Sequence, residues 1–257
     1  KVNVKIHKIE GYIQNLFIAE YPDTLLLQDG GSKADIQTIE NFIQKKLNKP
    51  LSELKLIVVT HMHPDHAGAA SLLRKKYGIP LAAHPEIDEW YAGFGGFLQN
   101  RADTFMAHIV AHKKKKPYRR LKYKRFVKPD YFLKNAEKLP FFPDWTAYHT
   151  PGHTDHDISL FHSETKTLYA ADLFLQIKEK CRLPFPTVFP QRLKKSILKV
   201  ADLNPKKILL AHGDSCKELL KPIDYEKLAE QTKQKHRGIF KVLLPFVKIA
   251  AKAKQQP

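Results

Sequence analysis

Cysteine is nearly absent: the chain of 257 residues holds two, Cys181 and Cys216. Two are too few for a disulfide framework, and neither lies in a C-x-x-C pair, which excludes a dithiol redox motif and a cysteine-based zinc knuckle. Both read as ordinary thiols. Long apolar runs are missing too. No window reaches 18 uninterrupted apolar residues, about the length that marks a membrane-spanning helix. There is no short-period repeat, and no low-complexity segment apart from one lysine run. These absences exclude collagen, coiled coil and a mostly disordered chain. A hydrophobic fraction of 43% and a mean hydropathy of −0.41 leave the profile of a soluble globular protein with one large core.

Acid is scarce relative to base. Lys plus Arg is 44 against 26 for Asp plus Glu, a net charge of +18. Such a field attracts polyanions, anionic lipid surfaces or small anionic substrates, and selects no chemistry among them. The sequence begins Lys1-Val2-Asn3-Val4, without Met and without a positive-then-apolar signal segment. The expectation is a cytoplasmic protein, with a processed exported form as the alternative.

What is present is an alternation of strand and helix signals. Residues Asn15–Glu20 and Thr24–Gln28 are apolar-rich and flank the turn Tyr21-Pro22-Asp23. Asp29-Gly30-Gly31 ends the second strand, and Ser32 with Asp35 forms a capping-box-like start. Ile36, Ile39, Ile43 and Leu47 then share one face of a helix that Pro50 ends. Leu54–Val59 reads as a buried strand, and a helix follows from about Ala67 to Tyr77, stopped by Gly78 and Pro80. Further strands are expected at Thr146–His149, Ile158–His162, Thr167–Ala171 and Lys207–Leu210, and helices near Gln191–Val200 and Tyr225–Lys235. The alternation argues for an α/β architecture.

His61, His63, Asp65 and His66 stand within six residues at the end of the Leu54–Val59 strand. Imidazole and carboxylate are good ligands for Zn, Mn or Fe. Four such groups within six residues do not fit comfortably round one ion and could serve two adjacent ions. Three further candidates each follow an apolar strand run: His153 in Thr150-Pro151-Gly152-His153-Thr154, Asp172 after Ala170-Ala171, and His212 in Ala211-His212-Gly213-Asp214. Strand ends on one edge of a sheet converge on one crevice, so the ordered set counts for more than any member.

This set resembles the metallo-β-lactamase superfamily. Thr60–His66 followed by Ala67-Gly68 looks like its defining motif, and the His153, Asp172 and His212 motifs match its later ones in order. The resemblance covers nearly the whole chain except about 86–128. It implies a four-layer αββα sandwich, a single domain over 1–257, carrying a helical, basic insertion. It implies a dinuclear site: His61, His63 and His153 on the first ion, Asp65, His66 and His212 on the second, Asp172 between them. The ions are expected to be zinc, with iron or manganese as alternatives. The implied chemistry is hydrolysis by a hydroxide bridging the two ions, with Asp65 fixing geometry and orienting the nucleophile. The bridging Asp172, which true β-lactamases of the family lack, resembles glyoxalase-II-type thioesterases, lactonases and phosphodiesterases. The expected reaction is cleavage of an ester, thioester or lactone bond; the alternative is a phosphodiesterase or nuclease, with a β-lactamase or a non-catalytic binding protein ranked below both.

After His153-Thr154 the chain departs from a common family pattern with Asp155-His156-Asp157. His156 is a candidate either for substrate contact or for hydrogen bonding to a ligand residue. The insertion opens with Trp90-Tyr91-Ala92-Gly93-Phe94-Gly95-Gly96-Phe97, continues as a helix to about His112, and ends in Lys113–Lys128, with ten Lys or Arg and no acid. Trp90, Phe94 and Phe97 are candidates for substrate binding, under a reading of the insertion as a lid over the crevice whose glycines give it freedom. The expected substrate is a small molecule, anionic or acyl-bearing. Nucleic acid and an anionic membrane surface suit the basic segment but are not favoured, and the aromatic part is a candidate homodimer surface. His84 and His149 read as structural. His108 and His112, spaced i, i+4, lack the Glu of H-E-x-x-H and are not expected to form a second metal site.

Overall fold

Two facing sheets follow from strands whose alternate residues point to opposite sides. A computed structural model describes residues 4–177, 180–213 and 223–232. The first sheet runs in the order β1 (Lys5–Glu10), β2 (Asn15–Glu20), β3 (Leu25–Leu27), β4 (Leu54–Val59), β5 (Leu81–Ala83) and β6 (Tyr131–Phe132). Its first three strands are antiparallel and its later pairings parallel. The second sheet holds β7 (Glu137–Leu139), β8 (Phe142–His149), β9 (Ile158–His162) and β10 (Thr167–Tyr169). Its far edge, after a separate ribbon of β11 (Leu175–Ile177) and β12 (Lys180–Arg182), is β13 (Lys207–Leu209), parallel to β10.

The period of two explains the layers. Phe17, Leu26, Leu56, Val58 and Ala82 face inward from the first sheet and meet Trp145, Ala147, Ile158, Leu160 and Tyr169 from the second. The intervening residues of the first sheet, Leu16, Ile18, Leu25, Leu27, Ile57 and Val59, pack outward on helices. Those helices are α1 (Ile36–Asn41) with its continuation through Ile43, α2 (Pro64–Ala67) and α3 (Ala70–Tyr77). Phe161, Leu168 and Ile208 do the same on the second sheet against α5 (Pro190–Asp202) and α6 (Tyr225–Gln231). The result is helix, sheet, sheet, helix, the αββα arrangement.

The Ser32–Asp35 capping box forms: the Ser32 N–H and hydroxyl both donate to Asp35 Oδ2, at 2.8 and 2.6 Å. The helix expected from Ala67 is two helices, because the chain turns at Gly68-Ala69 after α2; Gly78, at φ +70°, ends α3 as expected. β1 and β5 carry no clear strand signal in the sequence. β1 is an edge strand whose lysines and glutamate hide its apolar content, and β5 is only three residues long. Cys181 is a half-buried free thiol; Cys216 and the end of the helix expected to reach Lys235 lie outside the described residues.

The insertion is one long helix, α4 (Gly93–Lys113), followed by an extended strap. The expectation that its glycines confer freedom is corrected at Gly96. That residue is buried, and a Cβ there would lie 2.1 Å from the Tyr91 carbonyl carbon, so glycine serves close packing. The strap is tied down. Leu121 is buried with Tyr12, Ile13, Ala107 and Ala111, and Val127 joins the first sheet's outer core.

Leu160→Ala, at the centre of the inter-sheet core, is expected to destabilise the protein by about 2–5 kcal/mol. Leu198→Ala, on the exposed side of α5, should cost under about 1 kcal/mol. Urea unfolding with unchanged m-values checks both.

Candidate metal centre

Strand ends and tight turns build the site. β4 delivers Thr60-His61-Met62-His63 to the sheet edge, and Pro64, whose fixed φ suits a first helical position, starts α2 at once. The N–H groups of His66 and Ala67 donate to the His63 carbonyl at 3.0 and 2.9 Å, so all four polar groups of the motif sit on one compact turn. His153 lies on the turn between β8 and β9. Asp157 closes that turn by accepting from the Thr154 N–H and hydroxyl at 2.6 and 2.7 Å and from Gly152 N–H at 3.2 Å. Gly152 is needed there, since a Cβ would come 2.5 Å from the Leu193 Cβ of α5. Asp172 follows Ala171, which holds φ +47°. That left-handed conformation costs a non-glycine residue about 1–3 kcal/mol and is kept where the surroundings impose it. His212 follows β13, its carbonyl accepting from Gln176 N–H at 3.0 Å.

All seven expected ligand residues meet in one crevice. His61 Nε2 lies 3.1 Å from His63 Nδ1, which lies 2.9 Å from His153 Nε2. On the other side, His212 Nε2 is 3.2 Å from Asp65 Oδ2, and His66 Nε2 is 3.8 Å from the same oxygen. Asp172 stands between the two groups. Its Oδ2 faces His153 Nε2 at 3.4 Å and His61 Nε2 at 3.9 Å; its Oδ1 faces His66 Nε2 at 3.3 Å and His212 Nε2 at 3.4 Å. Three overlapping sets bring their donor atoms within 4.8 Å of one another: His61, His63 and His153; His61, His66 and Asp172; Asp65, His66 and His212.

The crevice sets free imidazole lone pairs and ionised carboxylates beside a buried imidazole of raised pKa. Burial, then repulsion from neighbouring imidazoles, holds His61 and His63 well below the usual histidine value, so both keep free lone pairs. Burial works against the charge on Asp172 and Asp65. It is outweighed by His212, His66 and His153 around Asp172 and by His66 and His212 around Asp65, so both carboxylates stay ionised below their ordinary range. Burial opposes a charge on His66 too, but Asp29, Asp172 and Asp65 outweigh it and raise its pKa well above the usual value. Two buried atoms, His66 Nε2 and Asp172 Oδ1, face each other across 3.3 Å in the crevice without forming a well-directed hydrogen bond. Orphaned buried polar atoms are rare and call for an explanation. A nitrogen-and-carboxylate donor set without thiolate fits a zinc, iron or manganese ion there.

Sequence reasoning misses two supports. Asp29 reads in the sequence only as a strand end. It is fully buried and accepts from His66 Nδ1 at 2.6 Å, Thr60 Oγ1 at 2.8 Å and Tyr169 Oη at 2.8 Å. A carboxylate only accepts, so His66 Nδ1 carries the proton and Nε2 is the atom turned into the crevice. The signal was an acid between an apolar strand and two glycines. Asp103, on α4, comes from the insertion. Its Oδ2 lies 3.8 Å from His63 Nε2 and accepts from Tyr91 Oη at 2.7 Å. Burial, only partly offset by the Tyr91 hydrogen bond and by His153, pushes its pKa up to about 6. No local pattern in the helix marks this residue.

The substrate-contact candidates scatter. His156 is fully buried: its Nε2 accepts from Met62 N–H at 3.0 Å and its Nδ1 pairs with Asp155 at 2.8 Å. It steadies the His61–His66 turn, as its hydrogen-bonding alternative has it. Trp90 is buried against His63 and His156, at ring distances of 6.4 and 5.5 Å. Phe94 and Phe97 stack on each other on the outside of α4. His84 and His149 stack at 4.2 Å, and His108 stacks on Tyr118 at 5.1 Å.

Asp29→Asn keeps the shape but weakens the acceptor that orients His66. Zinc affinity measured by chelator competition is expected to fall about 10–100-fold, with circular dichroism unchanged.

Comparison with known proteins agrees with this geometry. The family model described as Metallo-beta-lactamase superfamily matches residues 9–212, which include all seven crevice residues. The probable metallo-hydrolase YflN of Bacillus subtilis is 25% identical over 224 residues, covering 81% of this chain and 83% of that protein. The hydroxyacylglutathione hydrolase GloC of Haemophilus influenzae is 27% identical over 218 residues, covering 82% and 91%. Among solved structures, an archaeal metallo-beta-lactamase superfamily protein from Sulfolobus tokodaii superposes with a TM-score of 0.63 at 16% identity, covering 98% of each chain. A metallo-beta-lactamase family protein from Thermus thermophilus superposes with 0.62 at 20% identity, covering 90% of this chain and 78% of that one. These two show the shared fold. With the matched family and the metallo-hydrolase relatives, they make this chain a metallo-hydrolase of the metallo-β-lactamase superfamily.

Proposed function

We propose that the protein hydrolyses an ester, thioester or lactone bond with two divalent ions, zinc in the first instance, held side by side in the crevice. The observation that carries the reading is the position of Asp172, whose two oxygens face the His61/His153 side and the His66/His212 side at 3.3–3.9 Å. One carboxylate so placed would serve two ions. His61, His63 and His153 would hold the first; Asp65, His66 and His212 the second. When bound, such a pair supplies an acidified water as nucleophile and a Lewis acid for the substrate oxygen.

The chain's own residues do the rest. Asp29 fixes the tautomer of His66, and the Pro186 carbonyl, 2.8 Å from His153 Nδ1, fixes that of His153. Asp65, ionised and 3.2 Å from His212, holds the second group together and orients the attacking water. Trp90 and Asp103 form one side of the crevice at His63 and limit water there. Acyl chemistry is favoured because one relative, GloC, is named a hydroxyacylglutathione hydrolase.

Metal-loaded protein is expected to contain about two ions per chain by elemental analysis, and removal by chelator should abolish turnover. Asp65→Asn and His66→Ala should each lower kcat by at least about a hundredfold, with the circular dichroism of the native fold. Near-normal turnover in both would sink the two-ion reading. A panel of thioesters, lactones, aryl esters, phosphodiesters and a β-lactam should give its largest kcat/KM on an acyl substrate. Dominant phosphodiester cleavage would overturn the acyl assignment and leave the ion pair standing.

A further inference from the structure

The insertion presents a surface that hydrolysis does not use. On α4 the spacing of Phe94, Leu98 and Phe105 places them on one face, with Phe97 beside them. They are exposed by 76, 52, 64 and 39%. Gly96, Asn100, Ala107 and Ala111 occupy the opposite, buried face. Three phenylalanines and a leucine turned outward on one helix side, with Arg101 set among them, mark an interaction site.

Cations ring this row. The Arg101 and Arg125 guanidinium groups both lie over the Phe97 ring at 5.5 Å, and Arg125 also lies 5.1 Å over Phe126. The strap from Lys113 to Lys128 supplies ten Lys or Arg and no acid, more than half of the net charge of +18. Lys113, Lys115, Arg120, Lys122 and Lys124 are all exposed. The strap is anchored beneath them by buried Leu121, by Tyr123, whose hydroxyl donates to the Met62 carbonyl at 2.5 Å, and by Arg125, which donates to the Tyr91 and Gly93 carbonyls at 3.0 and 3.1 Å. The cations therefore stand on a fixed plate.

We propose that this plate docks the protein on an anionic phospholipid surface, with the α4 row entering the headgroup and acyl boundary and the strap contacting lipid phosphates. Aromatic and aliphatic side chains flanked by Lys and Arg are what an interfacial helix requires. A second copy of the chain is a poor occupant, because it would bring one strongly cationic strap against another. Nucleic acid is a poor one too: stacking proteins seat bases in a charged groove, whereas these rings stand on the outer face of a helix. The sequence of residues 233–257 repeats the composition, with seven Lys or Arg, no acid and the run Val242-Leu243-Leu244-Pro245-Phe246-Val247. Asp103, against His63, lies on the opposite side of α4 from this row, so the proposal stands whatever bond the crevice cleaves.

Co-sedimentation of the full chain with phosphatidylcholine vesicles, with and without about 30% phosphatidylserine, tests this. Binding is expected to be at least about tenfold tighter to the anionic vesicles and to weaken as salt rises. The double variant Leu98→Ser/Phe105→Ser and the triple variant Lys115→Ser/Arg120→Ser/Lys122→Ser should each weaken it about tenfold, with native circular dichroism. Anionic-vesicle binding untouched by both variants would overturn the proposal and move lipid affinity elsewhere in the chain. So would a dimer dispersed by Leu98→Ser/Phe105→Ser, or retention on single-stranded nucleic acid without vesicle binding.

Discussion

Asp172 is the group on which the rest of the crevice depends. Its carboxylate is largely removed from water and is kept ionised by the imidazoles of His212, His66 and His153. A buried charge is tolerated only with partners of opposite sign or a bound cation. Each imidazole near it in turn needs its other ring nitrogen satisfied, or it would turn away. Asp29 does this for His66 and the Pro186 carbonyl for His153, while Asp103 faces the outer nitrogen of His63. Concentric polar support of this kind sets tautomers and directions before any ion arrives.

The scaffold converts that requirement into sequence. The metal-motif turn begins where β4 ends, Asp172 where β10 ends and His212 where β13 ends, while His153 rides the β8–β9 turn. The strands behind them are apolar on both faces because each sheet is covered on both sides, and that rigidity brings imidazole nitrogens from three chain segments and the Asp172 carboxylate from a fourth into one crevice. Backbone conformations that a looser scaffold would relax, such as the positive φ of Ala171, are held in place beside the group they present.

Much of this is legible in the sequence because it is local. The run Leu54–Val59 coincides with β4, Ile158–His162 with β9, and the ordered His and Asp motifs meet as expected. What escapes is non-local. Asp29 and Asp103 sit 37 and 40 positions from the histidines they face; Asp29 is marked only by its place between an apolar strand and two glycines, and Asp103 by nothing in the adjoining sequence. His156 stands beside a ligand in sequence and looks reactive; only packing reveals that the Met62 N–H occupies it. The aromatic, Gly-rich start of the insertion suggests a mobile lid, yet Gly96 is where α4 meets the Tyr91 backbone. Exposed Phe94 and Phe105 illustrate the converse: periodicity shows which residues share a face, while the fold decides which face is covered.

The central claim, two ions sharing one carboxylate, is tested most directly by a crystal structure of the metal-loaded protein with anomalous data at the zinc edge. The account predicts two peaks about 3.5–4 Å apart. One should lie within bonding reach of His61, His63 and His153, the other of Asp65, His66 and His212, with an Asp172 oxygen on each. A single peak at full loading, or two peaks with Asp172 bound to only one, would contradict it.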